Sequence, residues 1–122
     1  LGWKPLLVAF AVASGVATFN QLRTLVAHLW ENEGEAMTVT AQYLDSVNVP
    51  HPLAGFWAPV GLRYHATHHL LPSLPYHSLG EAHRRLSAQF GAGSTYQGAN
   101  HAGMIGLVVK IAERYWVPTS LP

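Results

Sequence analysis

The hydrophobic pattern divides the chain into one long apolar run followed by short segments punctuated by prolines, glycines and charges. Pro5–Phe19 (PLLVAFAVASGVATF) carries no charge, and the apolar character resumes at Leu22 and again over Leu25–Trp30. The first stretch alone falls short of the roughly 20 residues that cross a bilayer. Continued to Trp30 it makes a helix of 26 residues, about 39 Å long at 1.5 Å per residue. That exceeds a hydrocarbon layer of about 30 Å, so the last turns emerge at the membrane surface. The expectation is a transmembrane helix over residues 5–30. Its rivals are a signal sequence, with Lys4 ahead of an apolar core, and the buried helix of a soluble domain. Arg23 and His28 continue the helical pattern with no obvious cleavage site, which counts against the signal sequence.

Downstream the pattern shortens. Glu31–Glu35 reads as an acidic turn. Met37–Val49 (MTVTAQYLDSVNV) is ambiguous, since its β-branched residues favour a strand while Ala41–Leu44 suits a short helix. Val49-Pro-His-Pro52 is a break, because proline removes a donor and restricts the residue before it. Gly55–Leu71 reads as a second helix, with Pro59 at its start or at a kink, and Pro72-Ser-Leu-Pro75 ends it. Ser78 then caps a helix running to about Phe90, with Glu81 completing a capping box. Gly91–Ser94 is a loop. A last helix, about Ala99–Trp116, places Ile105, Val108, Val109, Ala112 and Trp116 on one side, a face suited to a membrane surface or to docking on the other helices.

Composition sharpens this picture. Hydrophobic residues make up 49% of the 122 and charged residues only 11%, a balance that fits a protein partly bedded in lipid. There is no cysteine, which excludes disulfides, thiolate metal sites and a cysteine nucleophile. A net charge of +1 gives no support to a nucleic-acid partner. Arg23, Arg63, Arg84 and Arg85 stand on one side of the apolar helix and only Lys4 on the other, so the positive-inside rule puts everything after Trp30 in the cytoplasm. The chain starts at Leu1 rather than Met, as expected of a fragment or processed product. Histidine is the outlier, with eight copies against six carboxylates.

Four of those histidines fall within Arg63–His77. His65, His68 and His69 form an HxxHH cluster, and residues i, i+3 and i+4 share one helix face. Neutral imidazoles converging on one face suit iron, zinc or copper. No GxSxG, HExxH or Glu-x-x-His pair accompanies them, so a serine hydrolase, a zincin and a carboxylate-bridged di-iron bundle all lack their motifs.

The segment Arg63–Leu86 (RYHATHHLLPSLPYHSLGEAHRRL), with HxxHH followed by LxPxxPxxxL, resembles the C-terminal histidine box of membrane fatty acid desaturases and related hydroxylases. Arg23–Trp30 (RTLVAHLW) is similar to that family's segment at the cytoplasmic end of a late transmembrane helix, which often supplies one further histidine. The resemblance covers about Asn20–Leu86. It implies an all-α fold, the C-terminal part of a helical integral-membrane bundle, with residues 31–122 as a cytoplasmic cap carrying the box. It implies a non-haem centre of two iron ions, with His65, His68, His69 and His28 among the ligands. Molecular oxygen would be the co-substrate and a lipid or fatty acyl chain the substrate, with electrons from a ferredoxin or cytochrome b5-type donor. Loss of two hydrogens from adjacent carbons gives a desaturase; oxygen insertion gives the alternative, a carotenoid, sterol or alkane hydroxylase or ketolase. The Asn ligand that some members carry one turn before the His28 position is replaced here by Thr24.

The remaining candidates have lesser roles. His77 and His83 are either partners behind the ligands or surface residues; His51 and His101 are expected in solvent. Glu81 is read as a helix cap. Asp45 suits an acceptor that orients a ligating imidazole, although nothing in the sequence ties it to one. Arg63, Arg84 and Arg85 face lipid phosphates or an acidic electron donor, or simply mark the cytoplasmic side. The two further histidine boxes such enzymes need do not occur before His28. The segment alone is therefore expected to be inactive, and a non-catalytic membrane metal-binding protein is the alternative from another class.

Overall fold

The computed structural model describes residues 2–32 and 34–116; Leu1, Glu33 of the acidic turn and residues 117–122 of the expected cap lie outside them. Among the described residues the fold is helical, with no strands and only isolated backbone bridges. Helix α1 spans Trp3–Leu25 and has no buried residue. At about 1.5 Å per residue its 23 residues reach roughly 34 Å, long and apolar enough to cross a membrane. Pro5 is tolerated because it sits in the first turn, where its missing N–H has no helical partner.

The helix stops five residues earlier than the pattern predicts. Continuation through Trp30 is lost to tertiary pairing: Val47 N–H donates to Ala27 O at 3.0 Å and Leu29 N–H to Asp45 O at 2.7 Å. These bonds place His28 in an extended segment opposite Ser46. Trp30, at φ 58°, then returns its indole N–H to Leu25 O at 2.7 Å, satisfying a carbonyl at the helix end.

The ambiguous segment after it resolves into both of its options. Thr38 accepts a hydrogen bond from Ala41 N–H at 3.2 Å and caps α2, Val39–Asp45. Asp45–Val49 is then buried at every position, and Ser46–Val49 runs extended as the spine of the domain. Along that spine Val47 O accepts from Ala66 N–H, Asn48 pairs with Ala99 and His101, and Val49 N–H donates to Arg63 O.

The expected helix over Gly55–Leu71 is two short helices, α3 at Ala54–Trp57 and α4 at His65–Leu70. Pro59 ends the first, and the turn behind it carries Val60 at φ 54° and Gly61 at φ 90°. Gly61 is required twice over: its backbone is left-handed, and a Cβ there would run into the carbonyl oxygen of Tyr76. A 3-10 turn at Tyr76–Ser78 leads into α5, Leu79–Gln89. The capping box does not form, because Ser78 is already helical and makes no side-chain cap. Glu81 instead binds Arg84 and Arg85, at 2.6 and 2.7 Å.

Beyond the Gly91–Ser94 turn, Ser94 caps a short helix the pattern did not reveal, α6 at Thr95–Gly98. Helix α7 begins at Met104, not Ala99, and runs to Trp116. Asn100 and His101 are held in the bridge to Asn48, which delays the start. Its packed face is Met104, Leu107 and the half-buried Ile111, while Ile105 and Trp116 are exposed. Leu107 closes a core of Val26, Val47, Val49 and Ala54, with Leu29, Trp57 and Met104 against it. Tyr115 donates to Trp30 O at 2.8 Å and Arg114 pairs with Glu31 at 3.3 Å, tying α7 to the chain just past α1.

Candidate metal centre

A six-residue helix is too short to persist unaided, so α4 depends on its anchors. Its N-terminal N–H groups are taken up by the spine: Ala66 N–H donates to Val47 O at 3.1 Å and Thr67 N–H to Asn48 Oδ1 at 3.0 Å. Ala66 and Thr67 are fully buried beneath, which turns His65 and His69 toward the segment after α1. There Nε2 of His65 lies 3.1 Å from Nε2 of His28 and 3.1 Å from Nε2 of His69. Donor atoms of all three fall within 4.8 Å of one another.

The arrangement fits a metal ion better than a hydrogen-bond cluster. Asp45 is buried, and its Oδ2 lies 3.2 Å from Nδ1 of His28. The carboxylate fixes the proton on Nδ1 and leaves a lone pair on Nε2, the second partner a ligating histidine commonly has. His65 Nε2 then faces two other ring nitrogens, and a single N–H has no linear path to both. Nitrogens about 3 Å apart are at the spacing of neighbouring donors around one ion held at about 2.1 Å. Burial, reinforced by the charges of His28, His69, His68 and Arg23, pulls His65 down to about 3, and burial also lowers His69. Both imidazoles therefore stay neutral at physiological pH, the form that binds a cation.

His68 is placed differently. Its ring stacks on Tyr76 with centroids 4.8 Å apart, and Nε2 lies 3.3 Å from the Tyr76 hydroxyl. Its Nδ1 is buried without a hydrogen-bond partner among the described residues. Its centroid lies 6.0 Å from that of His65 and 5.7 Å from that of His69, beside the converging trio. His77 is exposed, as is His51. His83 is buried, stacked on Tyr64 at 4.7 Å, with Nδ1 2.9 Å from the Tyr96 hydroxyl. His101 is half-buried rather than solvated, because the bridge to Asn48 draws it inward.

A cavity of about 170 Å³ adjoins the cluster, walled by Thr24, Val47, Val49, Trp57 and Leu62 next to His28 and His65. Arg63 stands at this cavity, donating to His51 O and Pro52 O and lying over the Tyr64 ring at 5.0 Å. The sequence reading missed Asn48, Thr67, Tyr76 and Tyr96. A lone Asn between the valines of Val47-Asn48-Val49 was the available signal, since a buried amide needs partners.

Residues 1–100 match the sequence profile of fatty acid desaturases. The chain belongs to the fatty acid desaturase family. The match extends past the Asn20–Leu86 segment that carries the motifs and includes α1 and α6. The chain is also 54% identical over 103 residues to a ceramide hydroxylase from Caulobacter vibrioides (strain NA1000 / CB15N), an alignment covering 83% of this chain and 29% of that protein. The chain thus spans less than a third of that relative's length. No solved structure matches it.

Proposed function

We propose that this chain is the C-terminal histidine-box portion of a membrane-bound, iron- and oxygen-dependent enzyme that hydroxylates a ceramide-type lipid. The observation that carries the reading is the convergence of His28, His65 and His69 in a chain of this family. The likeness to a ceramide hydroxylase favours hydroxylation and this lipid class. A second reading, desaturation of an acyl chain, is favoured by the family profile itself.

Imidazole donors of this kind suit iron. His28, His65 and His69 would hold one ion, and His68, whose Nδ1 has no hydrogen-bond partner among the described residues, would serve the other. Non-haem iron supplies, when bound, the oxygen-dependent redox chemistry that breaks an unactivated C–H bond. The protein's part is positioning. Asp45 holds the His28 ring in one tautomer and orientation, and Val47, Val49, Trp57 and Leu62 give the adjoining cavity an apolar side. A lipid chain entering that cavity would meet the His28–His65 edge of the cluster.

In this reading α1 spans the bilayer and the rest of the chain lies on the cytoplasmic side, where a ferredoxin or cytochrome b5-type protein delivers electrons. Three or four imidazoles do not complete two iron coordination spheres, so residues outside these 122 must supply the other ligands, and this segment alone is inactive.

The test is lipid mass spectrometry on cells expressing the complete protein. A product heavier by one oxygen atom is expected; a product lighter by two hydrogens selects the second reading. His65→Ala and His68→Ala should each abolish product and iron retention. Full product from either variant, with iron unchanged, would overturn the site.

A further inference from the structure

Behind the metal-facing side of α4 runs a continuous chain of polar side chains. Asn48 Oδ1 accepts from Thr67 N–H at 3.0 Å, so that atom is an acceptor. It therefore also accepts from Thr67 Oγ1, 3.2 Å away. With its proton committed there, Thr67 Oγ1 accepts from the Tyr96 hydroxyl at 2.9 Å. The Tyr96 oxygen in turn accepts from Nδ1–H of His83 at 2.9 Å. His83 Nε2 is left as an acceptor for the Ser87 hydroxyl at 3.4 Å.

The same Asn48 donates through Nδ2 to Asn100 Oδ1 at 3.2 Å, and Asn100 donates to Gln97 Oε1 at 2.8 Å. Gln97 closes the circuit on α5, donating to Ser87 O at 3.1 Å. Asn48 and Thr67 are fully buried, Tyr96 and His83 nearly so. Every proton in the chain thus has one direction, and the network joins the spine, α4, α5 and α6.

We infer that Thr67, Tyr96 and His83 are positioning residues for the metal centre, holding the buried side of α4 so that His65 and His69 on its other side meet His28. The inference rests on the metal reading above. Thr67 lies two residues from each of His65 and His69, so its placement sets the rotation of the helix that carries both. In a helix of six residues a turn of a few degrees at Thr67 moves both imidazoles together. Buried, fully satisfied networks of this kind fix one arrangement of a core, and residues behind metal ligands typically alter affinity by 10- to 100-fold when changed.

The experiment uses the complete protein, purified metal-free in detergent and titrated with cobalt(II), whose visible absorption reports ligand geometry. Thr67→Val keeps the side-chain shape but removes the hydroxyl; cobalt affinity should fall about 10-fold and the visible band should shift. Thr67→Ser should restore both. Tyr96→Phe, which leaves Thr67 in place, should shift the band in the same direction by less. It also reads the network independently if Thr67→Val does not fold. Wild-type affinity and spectrum in the folded variants would sink the proposal. His65→Ala separates the two claims. A spectrum kept in that variant overturns the metal reading and the inference with it. A spectrum lost there but unchanged in Thr67→Val and Tyr96→Phe overturns the inference alone.

Discussion

The carboxylate of Asp45 serves two donors at once, Nδ1 of His28 through Oδ2 at 3.2 Å and the backbone N–H of Glu31 through Oδ1 at 2.8 Å. It fixes both the ring and the chain that follows it. Asp45→Ala should therefore weaken iron or cobalt binding by about 10- to 100-fold, measured by competition with a chelator. Asp45→Asn, which keeps an acceptor oxygen, should lose less. Equal affinity in all three proteins would remove Asp45 from the site. At this scale spacing alone disclosed His65, His68 and His69, because HxxHH puts like side chains on one helical face, whereas His28 was legible only through the family resemblance and joins His65 and His69 in place of His68. The sequence left Asp45 without a partner because the 3.2 Å contact joins residues 17 positions apart, through a backbone pairing no local pattern encodes.

At the scale of elements, the apolar run was readable from its unbroken composition and α7 from its local periodicity, while α5 forms without the capping box from which it was read. The errors fall where tertiary bonds override propensity. Ala27-His28-Leu29 has the composition to extend α1, yet its backbone groups pair with Asp45 and Val47. Gly55–Leu71 looked continuous because no pattern of apolar residues reveals that the chain turns at Val60-Gly61 to admit the Tyr76 carbonyl. That turn places α4, so it has a measurable consequence. Gly61→Ala must adopt a left-handed conformation and displace Tyr76, and should cost more than about 1 kcal/mol of stability. The check is a denaturation midpoint, and an unchanged midpoint would show that the turn is dispensable. Tyr76 stacks on His68, so the variant should also lose metal affinity.

For the whole molecule, the neutral histidines set a pH dependence. His65 falls from the usual value near 6.5 to about 3, mainly through burial. Between those limits the unfolded chain takes up a proton that the folded chain resists. Stability is therefore complete above about pH 6.5 and is lost progressively as the pH falls toward 3. Chemical denaturation of the metal-free protein across that range should show the decline, with a shallower slope in His65→Asn; identical slopes would refute the assignment. The placement of His28 also has a mechanical result. Because α1 ends at Leu25 and His28 is held opposite Ser46 by the backbone bonds of Ala27 to Val47 and of Leu29 to Asp45, the ligand belongs to the folded domain and not to the long apolar rod before it. Within this chain that rod has no buried residue, so the meeting of His28 with His65 and His69 is set by bonds made after the helix has ended. Val26, buried in the core, and Ala27, bonded to Val47, are where the two are made fast: the helix is a mooring line, and the chemistry rides on the hull.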